Sequence, residues 1–261
     1  MTGTPNTPEL WNQFWAQTPT DDPHWLERER RSIRWQRIHE RVLARWGSCR
    51  SLDVIEIGAG SGTHAALMSQ EGARVTVFDY SERALEQARA LFARNGVTAE
   101  FVLANALELP VAMQGRFHVS MSFGLAEHFL GRDRERIIGA HLEVLKPGGI
   151  TFISVPNAHN PPYRVYRFLS PRLKLWKVGE EYPFSRRELR RLASAAHLED
   201  VEFFGDSLWD SFRFLNPVKF AGKLLKRPVQ GFAPLPPVER GTVLDGYVSY
   251  ALVLYGRKRG A

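Results

Sequence analysis

The stretch Val54-Ile-Glu-Ile-Gly-Ala-Gly-Ser-Gly-Thr63 is an apolar run that ends in three alternating glycines. A second apolar run, Val75-Thr-Val-Phe-Asp79, follows it and ends in an acid. A buried strand, a glycine turn, a helix and a second strand that ends in an acid are the usual frame of a ligand pocket in a parallel sheet. The two segments therefore predict a small-molecule pocket at the carboxyl ends of the strands.

The spacing of the glycines narrows the class of ligand. Gly58, Gly60 and Gly62 give the pattern G-x-G-x-G, whereas the dinucleotide fingerprint requires G-x-G-x-x-G, and Thr63 stands in its last position. A pyrophosphate would also be repelled by the carboxylate of Glu56, two residues before the glycines. The pattern favours a ligand without a pyrophosphate, to which the glycines permit close approach of the backbone.

Four motifs in order resemble those of the class I S-adenosylmethionine-dependent methyltransferases, over about residues 50–205 with a last strand at 244–255. They are Glu56-Ile-Gly-Ala-Gly-Ser-Gly62, Val75-Thr-Val-Phe-Asp79, Phe117-His-Val-Ser-Met-Ser-Phe123 and Leu145-Lys-Pro-Gly-Gly149. The resemblance implies S-adenosylmethionine as cofactor and methyl transfer to an oxygen or nitrogen atom of a small or medium-sized acceptor. Its sulfonium is a cation, which suits the carboxylate of Glu56.

The resemblance also implies which residues bind the cofactor. Asp79 would accept hydrogen bonds from the ribose hydroxyls, and the backbone of Phe123 would accept one from the amino group. Tyr80 would flank the adenine ring or pack at the start of the next helix. The family usually has Asp where Asn105 stands, but an amide oxygen can also accept a hydrogen bond. The full predicted set is Glu56, Gly58, Gly60, Gly62, Asp79, Tyr80, Asn105, Ala106 and Phe123.

Glu127 and His128 follow the fourth predicted strand, whose end faces the sulfonium in the family. Methyl transfer is an in-line displacement with a neutral leaving group, so the protein mainly has to align the reactants and exclude water. His128 is the candidate general base, because its ordinary pKa of about 6.5 suits proton removal near neutrality. The alternative is that His128 packs under the loop or orients the substrate.

A metal site is the other chemistry that this pair suggests. In some quinone-precursor methyltransferases a Glu-His pair at this place takes part in a metal site. No further cluster of His or Asp is visible beside Glu127 and His128 in the sequence, so no metal is expected.

The alternation of strand and helix patterns predicts an α/β fold with a doubly wound, mostly parallel sheet. The resemblance implies seven strands with the last one antiparallel. Residues 1–46 are predicted to form a helical lid, with one long helix over 24–46, and residues 47–261 to form the cofactor-binding domain. Pro147-Gly148-Gly149 predicts a turn into a fifth strand at 150–155, and the last strand is predicted at 246–255.

Two connections, 156–184 and 205–241, are much longer than the turns that join the other predicted strands and helices. Long connections in compact domains are usually functional. We expect them to shape the acceptor site together with the aromatic N-terminus. The alternative is a loop held by its own side chains. The candidate acceptor contacts are Trp11, Trp15, Asn157, Tyr163 and Tyr182.

The net charge of +7 raises the question of a nucleic-acid partner. The arginine clusters lie on outer faces of predicted helices, and no nucleic-acid module is present, so we expect no such partner. Residues 212–227 alternate bulky apolar and basic side chains, which predicts a lid helix. The alternative is a peripheral membrane contact that serves a lipid or isoprenoid acceptor. A domain that binds the cofactor without catalysis is a further alternative.

The location is predicted from three features. No apolar run approaches the roughly 20 residues that cross a bilayer. The N-terminal residues lack the pattern of a secretory signal, and Cys49, the single cysteine of the 261 residues, permits no internal disulfide. These features predict a cytoplasmic protein, and the oligomeric state is left open.

Overall fold

The strands form one sheet in a computed structural model that describes residues 6–18, 22, 24–172, 176, 179–206, 208–215 and 241–260. They are β1 (Asp53–Ile57), β2 (Arg74–Asp79), β3 (Glu100–Leu103), β4 (Phe117–Phe123), β5 (Leu145–Pro156), β6 (Glu199–Gly205) and β7 (Ala251–Arg257). The strand order is β3-β2-β1-β4-β5-β7-β6. Strands β1 to β5 pair in parallel, and β7 runs antiparallel to both β5 and β6. The predicted fold class is confirmed.

The helices cover both faces of the sheet. They are α1 (Pro8–Ala16), α2 (Trp25–Arg30), α3 (Ile33–Trp46), α4 (Thr63–Gln70), α5 (Glu82–Arg94), α6 (Gly131–Glu143), α7 (Pro161–Leu169), α8 (Arg186–Ala195) and α9 (Asp245–Val248). One apolar cluster packs α3, α4 and α5 against the sheet, and a second packs α6 and α8 against it. Strand β1 is buried over most of its length, as expected of a central parallel strand between two helical layers.

The N-terminal region differs from the prediction of one helix over 24–46. The chain forms α2 and α3 with a break at Arg31 and Ser32. Ser32 has extended backbone angles, and its Oγ accepts a hydrogen bond from the backbone N–H of Trp35 at 3.1 Å. Serine is a preferred residue at this position because it satisfies an unpaired N–H of the first turn. The apolar periodicity continues across Ser32, which is why the pattern concealed the break.

Strand β5 begins earlier than predicted, at Leu145. Leu145 pairs with Phe117, but Ile150 already pairs with Val119, so the Pro147-Gly148-Gly149 segment forms a bulge inside the strand. Gly148 has φ +76°, a value that residues with a Cβ rarely adopt. The predicted turn is therefore an irregularity of the strand rather than its start.

The predicted last strand begins later than expected, because Gly246 and Val248 belong to α9. The buried Asp245 carboxylate accepts hydrogen bonds from the backbone N–H of Thr242 at 2.5 Å and of Leu208 at 3.1 Å. These bonds stabilise a helical turn where the sequence suggested extended chain.

Two of the predictions concern membranes, and the structure tests only the first of them. Within the described ranges, every helix falls short of the length and apolar content that a membrane crossing requires. Most of the predicted basic segment 212–227, and most of the connection 205–241, lies outside the described residues.

Candidate functional site

A cavity of about 250 Å³ opens at the carboxyl ends of β1, β2 and β4, beneath α1 and α2. Its position agrees with the rule for open parallel sheets. The predicted site residues that line it are Trp11, Trp15, Glu56, Gly58, Gly60, Asp79, Tyr80, Asn105, Ala106, Phe123 and His128. The predicted residues that do not line it are Gly62, Glu127, Asn157, Tyr163 and Tyr182.

Asp79 is fixed at the end of β2 by two backbone hydrogen bonds. Its Oδ2 accepts from the N–H of Gly60 and its Oδ1 from the N–H of Ser81, both at 2.8 Å. Burial raises the pKa of Asp79 to about 6, and the nearby Glu56 carboxylate adds to the increase. One carboxylate thus ties the glycine loop to the start of α5 and keeps a fixed acceptor in the cavity.

Trp15 lies against the glycine loop, on the side of the cavity where the cofactor is predicted. A Cβ on Gly60 would stand 2.3 Å from Cζ2 of Trp15, so glycine is required at this position for the indole to approach. Gly62 has another role, because it packs behind the loop, where its Cβ would meet Phe92 at 3.3 Å and Val77 at 3.4 Å. Trp15 was predicted as an acceptor contact, but its neighbour in the structure is the glycine loop.

Helix α1 is attached to α5 by polar contacts that hold Trp15 in place. The Asn12 Oδ1 accepts hydrogen bonds from Ser81 Oγ at 2.7 Å and from the N–H of Arg83 at 3.2 Å. Gln87 Nε2 donates to the carbonyl of Trp15 and, at 3.1 Å, to that of Thr18. Helix α1 therefore covers the cavity in a defined register.

His128 lines the cavity in a fixed orientation. Its Nδ1 lies 2.8 Å from the carbonyl oxygen of Glu180, so this nitrogen carries the proton and Nε2 keeps its lone pair. The ring of Trp11 meets the imidazole edge-on, with 4.8 Å between centroids. Burial lowers the pKa of His128, although the carbonyls of Glu180 and Gly124 partly oppose this. The imidazole is therefore neutral at neutral pH.

Glu127 does not line the cavity. Its side chain is buried, and Oε2 finds no hydrogen-bond partner within the described part of the chain. Burial and the nearby Glu181 carboxylate raise the pKa of Glu127. Ligand atoms of Glu127, His128 and Glu181 all lie within 4.8 Å of one another, a grouping that could hold a metal ion. The sequence did not reveal it, because Glu181 belongs to the first long connection.

Tyr163 and Tyr182 build the wall behind this group. The Tyr163 hydroxyl donates to Glu181 Oε2 at 2.6 Å, and the side chain is almost fully buried. The backbone N–H of Tyr182 donates to the carbonyl of Glu127 at 2.7 Å, and its hydroxyl donates to Glu180. Both tyrosines thus shape the site from behind the surface of the cavity.

Asn157, another predicted acceptor contact, forms its hydrogen bonds within the protein. Its Nδ2 donates to the carbonyls of Tyr247 at 2.8 Å and Ser249 at 3.1 Å. Its Oδ1 accepts from the backbone N–H of His159 at 2.9 Å. The amide joins the end of β5 to the segment before β7, and no part of it lines the cavity.

Arg134 on α6 was not predicted, yet it connects the loop after β4 to the first long connection. Its Nε donates to the carbonyl of Phe129 at 2.8 Å and its Nη2 to that of Tyr182 at 2.7 Å. Nη1 pairs with Glu188 at 2.6 Å, and the guanidinium carbon lies 3.8 Å from the centroid of the Phe184 ring. This buried arginine positions the two segments that surround His128.

Glu29, Arg34 and His64 were not predicted either, and together with the predicted Glu56 they form a charged wall on one side of the cavity. Glu29 Oε1 accepts from Arg34 Nη2 at 2.9 Å and lies 3.0 Å from His64 Nε2. Glu56 Oε2 accepts from the backbone N–H of Ala65 at 2.6 Å, and Oε1 lies 3.8 Å from His64 Nδ1. Burial opposes these charges, but the ion pairs lower the pKa of Glu29 and raise that of His64.

Comparisons with known proteins agree with this geometry. Residues 54–149 match a family model described as a methyltransferase domain. The ubiquinone biosynthesis O-methyltransferase of Aromatoleum aromaticum is 31% identical over 159 residues, which cover 59% of this chain and 67% of that protein. The enzyme of the same description from Thiobacillus denitrificans is 31% identical over 156 residues, which cover 58% of this chain and 66% of that protein.

A solved structure extends the likeness to almost the whole chain. It is the 1,6-didemethyltoxoflavin-N1-methyltransferase of Burkholderia thailandensis with bound S-adenosylhomocysteine, with a TM-score of 0.56 and 19% identity. The alignment covers 99% of this chain and 93% of that chain, and at this identity it shows a shared fold. Among the curated relatives, by contrast, the matched part spans between 46% and 67% of their length.

Proposed function

Because the chain belongs to the class I S-adenosylmethionine-dependent methyltransferases, we propose that it methylates an oxygen or nitrogen atom of a small or medium-sized acceptor. The observation that carries this proposal is that one and the same cavity is lined by Asp79, the glycine loop and His128. The two relatives named above are O-methyltransferases, which favours an oxygen acceptor.

The residues at the sheet edge fit the cofactor. Gly58 and Gly60 present backbone without side chains, and Asp79 offers a fixed carboxylate of the kind that binds ribose hydroxyls. Tyr80, Asn105 and Ala106 line the part of the cavity proposed for adenine. When bound, S-adenosylmethionine supplies a methyl group that its sulfonium activates for displacement. The protein mainly holds the acceptor in line and excludes water.

His128 is proposed to remove the proton of the acceptor. A neutral imidazole whose Nδ1 is bonded to the Glu180 carbonyl presents Nε2 as its basic nitrogen. Trp11, edge-on to the imidazole, would exclude water and contact the acceptor. Glu127 would act through the position of His128 and not by contact with the acceptor, because it does not line the cavity.

The proposal also covers the N-terminal segment and the basic segment 212–227. Residues 1–46 would serve as a lid, in which α1 closes the cavity. The polar contacts between α1 and α5 support this role. A cytoplasmic location is part of the proposal, and membrane contact through 212–227 stays a prediction, because residues 216–227 lie outside the described chain.

The test is transfer of labelled methyl groups from S-adenosylmethionine to a panel of phenols, amines and cell extracts divided into aqueous, lipid and RNA fractions. We expect label in a small molecule of the aqueous fraction. Label in RNA alone, or tight binding of S-adenosylmethionine without any transfer, would contradict the proposal. Asp79→Ala should weaken the binding of S-adenosylhomocysteine about tenfold or more, since a charged group accepts the proposed hydrogen bonds.

A further inference from the structure

Asn6 is a residue of the cavity wall that the reaction proposed above does not use. It lies shortly before α1 and lines the cavity together with Trp11, His128 and Phe129. Its Nδ2 donates a hydrogen bond of 2.6 Å to the carbonyl oxygen of His128, which is 122 residues away in sequence. The start of the proposed lid is thereby joined to the residue that carries the proposed base.

The neighbours of Asn6 fix its place relative to α1. Thr7 caps this helix, since its Oγ1 accepts from the backbone N–H of Leu10 at 3.3 Å, and Pro8 follows in the first turn. On its other side Asn6 lies against bare backbone, because a Cβ on Gly179 would stand 2.6 Å from Asn6 Oδ1. The Asn6 amide is therefore enclosed between the start of α1 and the first long connection.

The carbonyl of His128 requires a partner from outside its own turn. It ends the 3₁₀ turn Ala126–His128, and the last carbonyls of a helical turn have no partner within it. Among the described residues, the hydrogen bond from Asn6 is the only one found to this oxygen. Asn6 therefore supplies the bond that fixes the main chain of His128.

His128 is held from three directions. Asn6 binds its main-chain carbonyl, the carbonyl of Glu180 receives Nδ1 at 2.8 Å, and Trp11 meets the ring edge-on with 4.8 Å between centroids. Two of these three residues, Asn6 and Trp11, belong to the N-terminal segment that covers the cavity. Without that segment, His128 would keep only the contact with Glu180 of the three.

We infer that Asn6 is a positioning residue for His128 and makes the catalytic position of the base depend on the docking of the N-terminal segment. The inference rests on the proposed function, in which His128 removes the proton of the acceptor. A base that is held in place only beneath α1 restricts proton removal to the covered cavity, where the acceptor is aligned and water is excluded.

A double-variant cycle measures whether Asn6 acts through His128. It compares kcat of the wild-type protein, Asn6→Ala, His128→Gln and the double variant, with the phenol or amine of the labelled panel that the wild-type protein methylates fastest. Asn6→Ala should lower kcat about three- to tenfold, as the loss of one hydrogen bond predicts, and leave the affinity for S-adenosylhomocysteine unchanged. In the His128→Gln background the same change should lower kcat less than about twofold, because the base is already absent.

A second measurement requires no acceptor. With S-adenosylhomocysteine bound, amide hydrogen exchange in residues 125–129 should be about three- to tenfold faster in Asn6→Ala, since the turn loses its bond to the N-terminal segment. Binding of S-adenosylhomocysteine also shows that the variant is folded. Gln13→Ala is the matched control, because Gln13 is an exposed amide on α1 that does not line the cavity, and its kcat and exchange rates should equal those of the wild-type protein.

An equal loss of kcat from Asn6→Ala in both backgrounds would overturn the inference, because Asn6 would then act on the acceptor or on the lid alone. Unchanged kcat in Asn6→Ala, with or without faster exchange, would do the same, and both results would leave the proposed methyl transfer intact. Full kcat in His128→Gln would remove the proposed base and the inference with it. Absence of transfer by the wild-type protein to every member of the panel would instead overturn the proposed function.

Discussion

The Nδ1 of His128 lies 2.8 Å from the carbonyl oxygen of Glu180, which joins the loop after β4 to the first long connection. The bond holds the imidazole in the tautomer that a general base requires. It also makes the orientation of His128 depend on a segment more than 50 residues away in sequence.

His128→Gln tests the proposed base. We expect kcat to fall about 100- to 10,000-fold, the usual contribution of a positioned base, with little change in the affinity for S-adenosylhomocysteine. Because burial lowers the pKa of His128, wild-type activity should rise with pH through a midpoint below about 6.5, and the variant should lose this limb. His159→Gln, whose residue is exposed, is the control. An unchanged pH profile in His128→Gln would assign the histidine to packing or substrate orientation.

Arg134 gives a prediction about the wall around His128. Arg134→Gln leaves Glu188 and two carbonyls without their buried partner, which should cost about 3 kcal/mol of unfolding free energy. It should also raise KM for the acceptor more than it weakens S-adenosylhomocysteine binding. Arg136→Gln, with an exposed pair to Asp133, should cost less than about 1 kcal/mol in chemical denaturation. Equal losses in both variants would show that the buried contacts of Arg134 stabilise the protein no more than an exposed ion pair does.

The cofactor side of the cavity could be predicted because its chemistry is local in sequence. Gly58 and Gly60 lie in the turn after β1, Asp79 is the last residue of β2, and parallel strands bring such ends to one edge. The acceptor side depends on contacts between distant segments, such as Tyr163 with Glu181. An aromatic or amide side chain in a long connection can line a cavity or pack behind it, and composition does not distinguish the two. The contacts of Arg134 with Tyr182 and Glu188, about 50 residues away, likewise leave no pattern in the neighbouring sequence.

Metal removal tests the grouping of Glu127, His128 and Glu181. We expect overnight chelation with EDTA to leave kcat and the acceptor KM unchanged. Burial and mutual repulsion raise the pKa of Glu127, which favours its neutral form without a cation. Loss of activity on chelation, with recovery on adding Mg²⁺ or Zn²⁺, would make the three residues a metal site and would contradict the prediction.

His141 supplies a prediction about stability and pH. It is fully buried on α6, its ring nitrogens find no hydrogen-bond partner in the described ranges, and burial lowers its pKa to about 3. The unfolded chain therefore binds more protons between about pH 6.5 and 3, so His141 makes stability fall as pH falls through this window. His141→Leu should reduce the slope of the unfolding free energy against pH by up to about 1.4 kcal/mol per pH unit. Urea denaturation of both proteins at pH 7, 6 and 5 gives the free energy of unfolding at each pH. The same dependence on pH in both proteins would contradict the prediction.

The attachment of α1 over the cavity gives the last prediction. Gln87 Nε2 donates to the carbonyls of Trp15 and Thr18, and Gln87→Ala removes both bonds without touching the cavity lining. At about 1 kcal/mol for each bond, amide hydrogen exchange in residues 8–16 should accelerate about tenfold or more. Dissociation of S-adenosylhomocysteine should accelerate as well, because Trp15 covers Gly60.

Glu86→Ala is the control for this variant, since Glu86 lies on the same helix and forms an exposed pair with Arg83. Its exchange and dissociation rates should match those of the wild-type protein. Faster exchange in Gln87→Ala with an unchanged dissociation rate would show that α1 rests on the cavity without retaining the ligand. Because α1 has no fully buried residue, its attachment depends on such polar contacts and on the Trp15 indole. The proposed lid would therefore open without disturbing the core beneath it.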